Sequence, residues 1–427
     1  MKNFLYTTLI LLLFMAPTSL TGEGGDPFSQ TKFVPAISFI MDVSYLNRSL
    51  SSLDSYEFYI PGFLHAGHTE GHVHSGPVLG SNNGFNLNYA ELSLFATVDP
   101  YFDLFTAFHL TEDHFEVEEV YVTTRKLPHG FGLKIGKFLS SIGRANAQHA
   151  HTWNFQEIPL VYHVFFGEEG LNEKGVQLNW VAPLDFYLSL GVEVLQGENM
   201  VSFGIKEPDL EHLDDEVEIS VEDAKAPGLF TVFGKTSVDI GDLIILGGIS
   251  YATGSSRLLH EDDGGEHIVA GKTMIAGFDL TMKYLIDSYR YISFQSEYFY
   301  RDMSGDLYGS FSEGGENISE AGETPFNKKQ SGFYTELVYR FSKLWRTAFR
   351  FDMLNRNRLK INGVDPGLPE DMKRYSLMID YTPTEFSRIR LQYNYNKHLY
   401  YLGDLKNFGE LNLQLNISIG AHGAHPF

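Results

Sequence analysis

The chain has 427 residues, a formal charge of −22 and no cysteine. A nucleic-acid binder needs a basic face, so this acidic balance argues against one. Without cysteine there is no disulfide framework and no cysteine to carry an N-terminal lipid anchor.

Residues 1–22 read as a secretory signal peptide. Lys2 gives the positive start, Phe4 to Ala16 form a short apolar run, and small and polar residues follow, with cleavage expected between Thr18 and Gly25. The run is too short and wrongly flanked for a spanning helix. From residue 23 onward no stretch reaches the roughly 18 apolar residues that a transmembrane helix needs. Segments of about ten residues with period two recur instead, bounded by turn residues. They cover 36–46, 85–98, 103–112, 115–126, 131–140, 174–182, 184–195, 229–239, 243–254, 272–285, 289–302, 331–342, 346–355, 373–383, 386–397 and 408–420.

The alternation is clearest in the last segment. Leu411, Leu413, Leu415, Ile417 and Ile419 share one face, and Asn412, Gln414, Asn416 and Ser418 share the other. A soluble sandwich would show the same period. The connections discriminate better. Those after even-numbered segments are tight, as at Pro100, Pro128, Gly241 and Ser288. Those after odd-numbered segments are mostly long: 47–84, 141–173, 196–228, 255–271, 303–330, 356–372 and 398–407, the linker near Asp113 being the exception. Short turns at one end and long loops at the other, with 24 Tyr and 34 Phe for aromatic girdles, predict a transmembrane antiparallel β-barrel. The expected fold is therefore all-β, with about sixteen strands, short periplasmic turns and long outer loops, in the bacterial outer membrane. A closed sheet also satisfies every backbone group inside hydrocarbon. The acidic stretches Glu207 to Lys225 and His260 to His267 read as solvated loops.

Three constellations bear on function. The connection 141–173 carries Trp153, Phe155, Ile158, Leu160, Val161, Phe165 and Phe166, too much apolar surface for a wet loop. Folded into the barrel, it would narrow the lumen and place Arg144, His149, His151, Glu157 and His163 at the constriction; packing on the outer rim or at a protomer contact is the alternative. The first long loop holds His65, His68, Glu70, His72 and His74. That set suits zinc, copper or nickel but matches no defined motif, so metal capture stands beside a polar loop that binds metal adventitiously. His422 and His425 in the tail have the same character. On the polar phase of the strands lie Glu91, Glu297, Arg301, Glu336, Arg340, Arg350, Asp352, Arg388 and Arg390. In a wide pore they would sort ions by sign, or they form cross-strand ion pairs that stiffen the wall. The chain has no G-x-S-x-G elbow and no H-E-x-x-H, so an enzyme is not expected.

The segments GFNLNYAELSLFATVDPYFDLFTAFHL, EVEEVYVTTRKLPHGFGLKIGKF and GRANAQHAHTWNFQEIPLVYHVFFGEEGLNEKGVQLNWVAP carry a resemblance. Over 84–196 the chain resembles outer-membrane proteins grouped with phosphate-selective porins, in particular a His-rich branch of them. The resemblance implies a sixteen-stranded porin whose third outer loop constricts the pore, and it allows a homotrimer. Phosphate selectivity in that group rests on a run of Arg and Lys, whereas the matching loop here has only Arg144, so phosphate is not carried over. The expectation is a passive channel for small solutes or ions that requires no cofactor. Its expected partners are outer-membrane lipid and, through the terminal Phe427, the barrel-assembly machinery. A barrel that binds or takes up a divalent metal such as zinc through its His-rich loops is the alternative, and an outer-membrane enzyme a distant third.

Overall fold

A computed structural model describes residues 35–50, 58–60, 62, 81–111, 115–199, 201–206, 221–262, 265–309, 311–313, 316–319, 323–401 and 404–420. The expected signal peptide, the loop set His65, His68, Glu70, His72 and His74, the tail histidines His422 and His425, and Phe427 lie outside the described residues.

Sixteen strands form the wall: β1 (Ala36–Arg48), β2 (Gly84–Thr97), β3 (Phe102–Leu110), β4 (Phe115–Thr124), β5 (Phe131–Leu139), β6 (Asn172–Val181), β7 (Tyr187–Leu195), β8 (Leu229–Ile240), β9 (Leu243–Asp262), β10 (Gly265–Leu285), β11 (Tyr291–Gly309), β12 (Glu323–Arg340), β13 (Trp345–Ile361), β14 (Met372–Thr384), β15 (Ser387–Tyr401) and β16 (Asp404–Gly420). Each pairs antiparallel with its sequence neighbour, and β1 pairs with β16 from Ser38↔Gly420 to Arg48↔Glu410, which closes the ring. The seam is fastened on its inner face. Arg48 Nε donates to Glu410 at 2.9 Å, and the amides of Gln414 and Asn416 donate to Asp42.

The alternation sorts the side chains as the pleat requires. Leu411, Leu413, Ile417 and Ile419 are exposed, while Asn412, Gln414, Asn416 and Ser418 are buried. Exposed Phe230, Val232, Ile249, Phe278, Leu377 and Leu391 extend the same greasy exterior round the barrel. Tyr101, Phe131, Phe186, Tyr284, Tyr289 and Trp345 are exposed beside the short turns, where an interfacial girdle belongs. A soluble monomer does not present apolar surface on this scale, so lipid is its solvent. The chain is a closed outer-membrane barrel.

The expected loops 255–271 and 303–330 are largely strand instead, and the strand before 356–372 runs on to Ile361. β9 to β13 run 17 to 21 residues, about twice what a tilted strand needs to cross a bilayer. Their loop-side ends reverse the expected polarity. Leu258, Val269, Met303, Leu307, Phe326, Leu359 and Ile361 turn inward and form a buried cluster with Leu368. A reading that sought greasy residues on the outside therefore stopped these strands at the membrane rim.

Candidate functional site

The segment leaving β5 turns into the barrel. Its helix α1 (Leu160–Phe166, LVYHVFF) is apolar nearly all round and buried at every residue, as such a helix must be. Phe299, Tyr334 and Leu354 of the inner wall belong to the same buried cluster. Pro159 precedes the first turn and Gly167, at φ 86°, ends it.

Wall residues expected to face a pore mostly grip this segment. Glu297 accepts the backbone N–H groups of Arg144 (2.7 Å) and Ala145 (3.0 Å) and the hydroxyls of Tyr162 (2.5 Å) and Tyr334. Gly143 at φ 59° makes that approach feasible, because a Cβ there would collide with Tyr162 Oη. Asp352 accepts Leu160 N–H at 2.8 Å and also pairs with Arg350, whose Nη1 donates to the Glu157 carbonyl. Glu336 accepts Asn154 Nδ2, Arg388 donates to the His151 carbonyl, and Arg390, paired with Asp380, donates to the Trp153 carbonyl. Arg301 stacks over Phe165 and donates to Ser202. Arg340 lies apart, donating to the Lys343 carbonyl at the turn after β12.

On β2 to β4 the segment brings His149 and His151 against three carboxylates and one more imidazole. His109 Nε2 lies 2.9 Å from Glu118 Oε2 and 3.9 Å from Glu91 Oε2. His149 Nδ1 lies 3.3 Å from Glu118 Oε2 and 3.6 Å from Glu91 Oε2, with its Nε2 2.9 Å from Glu119 Oε2. His151 Nδ1 is 3.2 Å from Glu91 Oε2. A bulge builds this group. Ala107 faces Glu119 and Phe108 faces Val117, so Glu118 is the extra residue in β4, and Glu118 and Glu119 both turn inward. Re-aiming a side chain in this way is what bulges beside functional sites do. Burial alone would lower the pKa of His149, but the carboxylates of Glu118, Glu119 and Glu91 around its two nitrogens prevail and hold it well above the ordinary imidazole value.

Two cavities flank the stretch 148–153. The turn-side one, about 660 Å³, is bordered by His149, His151, Arg340, Arg346, Arg388 and Glu385. The loop-side one, about 260 Å³, is bordered by Glu116, Glu118, Glu157, Glu168, Glu169 and Arg374, with His163 among its other neighbours. Burial raises Glu157's carboxyl, but the charges of Arg374 and Arg350 outweigh that and leave it below the usual range. Glu168 and Glu169 are exposed at the border of this cavity, yet the surrounding protein still desolvates them and the carboxylates there repel one another. Glu168 is raised to about 7 by desolvation and by Glu169 and Glu116, and Glu169 to about 7 by desolvation and by Glu116.

No protein-family model matches the chain. An uncharacterized protein of Aquifex aeolicus (strain VF5) is 48% identical over 402 residues, covering 94% of this chain and 81% of that protein. The chain belongs to the same family as that protein. Among solved structures it is similar to OmpT, an outer membrane protein of Vibrio cholerae. The in-vitro folded form has a TM-score of 0.50 at 10% identity, over 90% of this chain and 97% of that one. The trimer form has a TM-score of 0.51 at 10% identity, over 91% and 99%. At such identity the likeness is one of fold.

In this family member, then, His149 and His151 come together with Glu91 from the wall, Glu157 and His163 border the loop-side cavity, and Arg144 is held through its backbone at Glu297. Sequence reasoning missed His109, Glu118 and Glu119. The signal was the pair Glu118–Glu119, which breaks period two inside β4.

Proposed function

We propose that the protein is a passive outer-membrane channel for small solutes or ions, narrowed by the segment 141–173, with no catalytic role. The observation that carries this is the pair of charged cavities on either side of residues 148–153. Sixteen strands enclose more space than wall side chains can fill, and here the inward segment fills only part of it. The turn-side cavity borders on three arginines and one glutamate, whereas the loop-side cavity borders mainly on carboxylates. A permeating ion would thus meet fields of opposite sign in sequence, which is how charged linings sort ions. The resemblance to phosphate-selective porins supports the architecture; the acidic loop-side cavity argues against phosphate as the solute. The trimer form of OmpT supports a homotrimer as the assembly to test.

A second reading, a barrel that captures or takes up a divalent metal, is favoured by the imidazole–carboxylate group at Glu91, Glu118 and His149. Planar-bilayer recording separates the two. Stepwise conductance in potassium chloride, with a reversal potential set by salt gradients, is expected of the channel. A silent barrel in chloride, phosphate and zinc salts alike would overturn it.

A further inference from the structure

We infer that Glu91, Glu118 and His149, with His109 and His151 beside them, form a binding site for a zinc-class divalent cation inside the barrel. The inference is independent of conduction, and it uses none of the residues of the set His65–His74.

The first argument is distance. A tetrahedral ion with bonds of about 2.0–2.1 Å sets its ligand atoms about 3.3 Å apart. The pairs here are 2.9, 3.2, 3.3, 3.6 and 3.9 Å, and all involve Glu91 Oε2 or Glu118 Oε2 with an imidazole nitrogen. The second is orientation. The ring of His149 has its Nε2 2.9 Å from Glu119 Oε2, so that nitrogen carries the proton and donates it. Its Nδ1 faces two carboxylate oxygens, and a cation bound between them would release the proton that Nδ1 carries in its absence. A carboxylate that fixes the far side of a ligating imidazole is the usual support for a protein-bound metal. The third is satisfaction. Glu118 Oε2 and His149 Nδ1 are both buried without a well-formed hydrogen bond, and Glu118 is 7% exposed. A proton on Nδ1 serves one carboxylate at a time, whereas a cation at the centre serves both. Among the described residues, every ion pair of Glu91, Glu118 and Glu119 runs to a histidine. Imidazole and carboxylate donors together suit zinc better than magnesium or calcium, which favour oxygen. The bound ion would tie residues 148–153 to β2, β3 and β4.

The test uses the full-length mature barrel, refolded in detergent and stripped with chelator. Residues 65–74 are deleted and His260→Ala, His267→Ala, His422→Ala and His425→Ala introduced, so that the His-rich stretches outside the site do not contribute. Titration with zinc chloride at pH 7.5, followed by calorimetry, is expected to give one saturable equivalent that magnesium chloride does not reproduce. His149→Ala or Glu118→Gln is expected to abolish it, and Glu119→Gln to weaken it on the order of 10–100-fold. Binding that is absent, or unchanged in all three variants, overturns the proposal. If a variant does not refold, zinc-edge X-ray absorption of the unsubstituted site decides: imidazole scattering supports it, and an all-oxygen shell overturns it.

Discussion

The inward segment meets the barrel on two walls, and the two contacts differ in kind. On β11 to β15 its polar groups find complementary partners. Glu297 receives four donors, and the charges of Arg350 and Arg390 are matched by Asp352 and Asp380 before they reach the segment's carbonyls. On β2 to β4 the segment brings His149 and His151 against three carboxylates, and Glu118 Oε2 and His149 Nδ1 stay without a well-formed hydrogen bond. A satisfied buried network rigidifies, while an incomplete one is held in place by the rest of the fold. The first wall holds the segment through matched pairs, although Arg350 Nη2, Arg388 Nε and Arg390 Nη1 there also lack a well-formed hydrogen bond. What sets the second wall apart is that its carboxylates meet imidazoles and not guanidinium groups.

Breaking the first wall should have the largest effect. Glu297→Ala orphans two backbone N–H groups and two tyrosine hydroxyls. At roughly 1–3 kcal/mol for each buried group, it should cost about 4 kcal/mol or more, read as a lower urea midpoint for the detergent-refolded barrel. Single-channel conductance should rise as the segment loosens. Gly143→Ala attacks the same contact from the other side. The left-handed backbone alone costs about 1–2 kcal/mol, and the collision with Tyr162 adds to it. A variant as stable as the parent, with unchanged conductance, would contradict the anchoring role.

The second contrast is electrostatic. Glu168 and Glu169, both raised to about 7, should ionise between roughly pH 6 and 8. Reversal potentials in a potassium chloride gradient should therefore move toward cation preference across that range, and Glu168→Gln with Glu169→Gln should flatten the change. The sign for stability is opposite to that of an ordinary salt-bridged carboxylate. These groups hold protons more tightly folded than unfolded, so their contribution is greatest at acid pH and falls as pH rises from about 4.5 through 7. The smallest effect should come from Arg388→Ala, which removes one of three arginines at the turn-side cavity. It should shift preference modestly toward cations, and a shift toward anions would contradict the assigned polarity of that cavity.

All sixteen strands were legible in the sequence, because lipid outside and polar side chains inside impose period two on every span. The apolar content of 141–173 likewise announced that it needs cover. The reach of β9 to β13 beyond the bilayer was not legible, since past the lipid the apolar residues Leu258, Met303 and Leu359 face inward and the outward rule no longer applies.

The sequence by itself determined the strand count, the end that carries the long connections, and the greasy face of each strand within the bilayer, all of which follow from local alternation and the solvent that a membrane imposes. Only the tertiary structure decided that Glu91, His109, Glu118, Glu119, His149 and His151 meet. They come from three strands and one folded-in segment, and a single bulged residue in β4 turns two successive glutamates to the same side. Such a meeting depends on barrel closure and strand register, which no local pattern encodes.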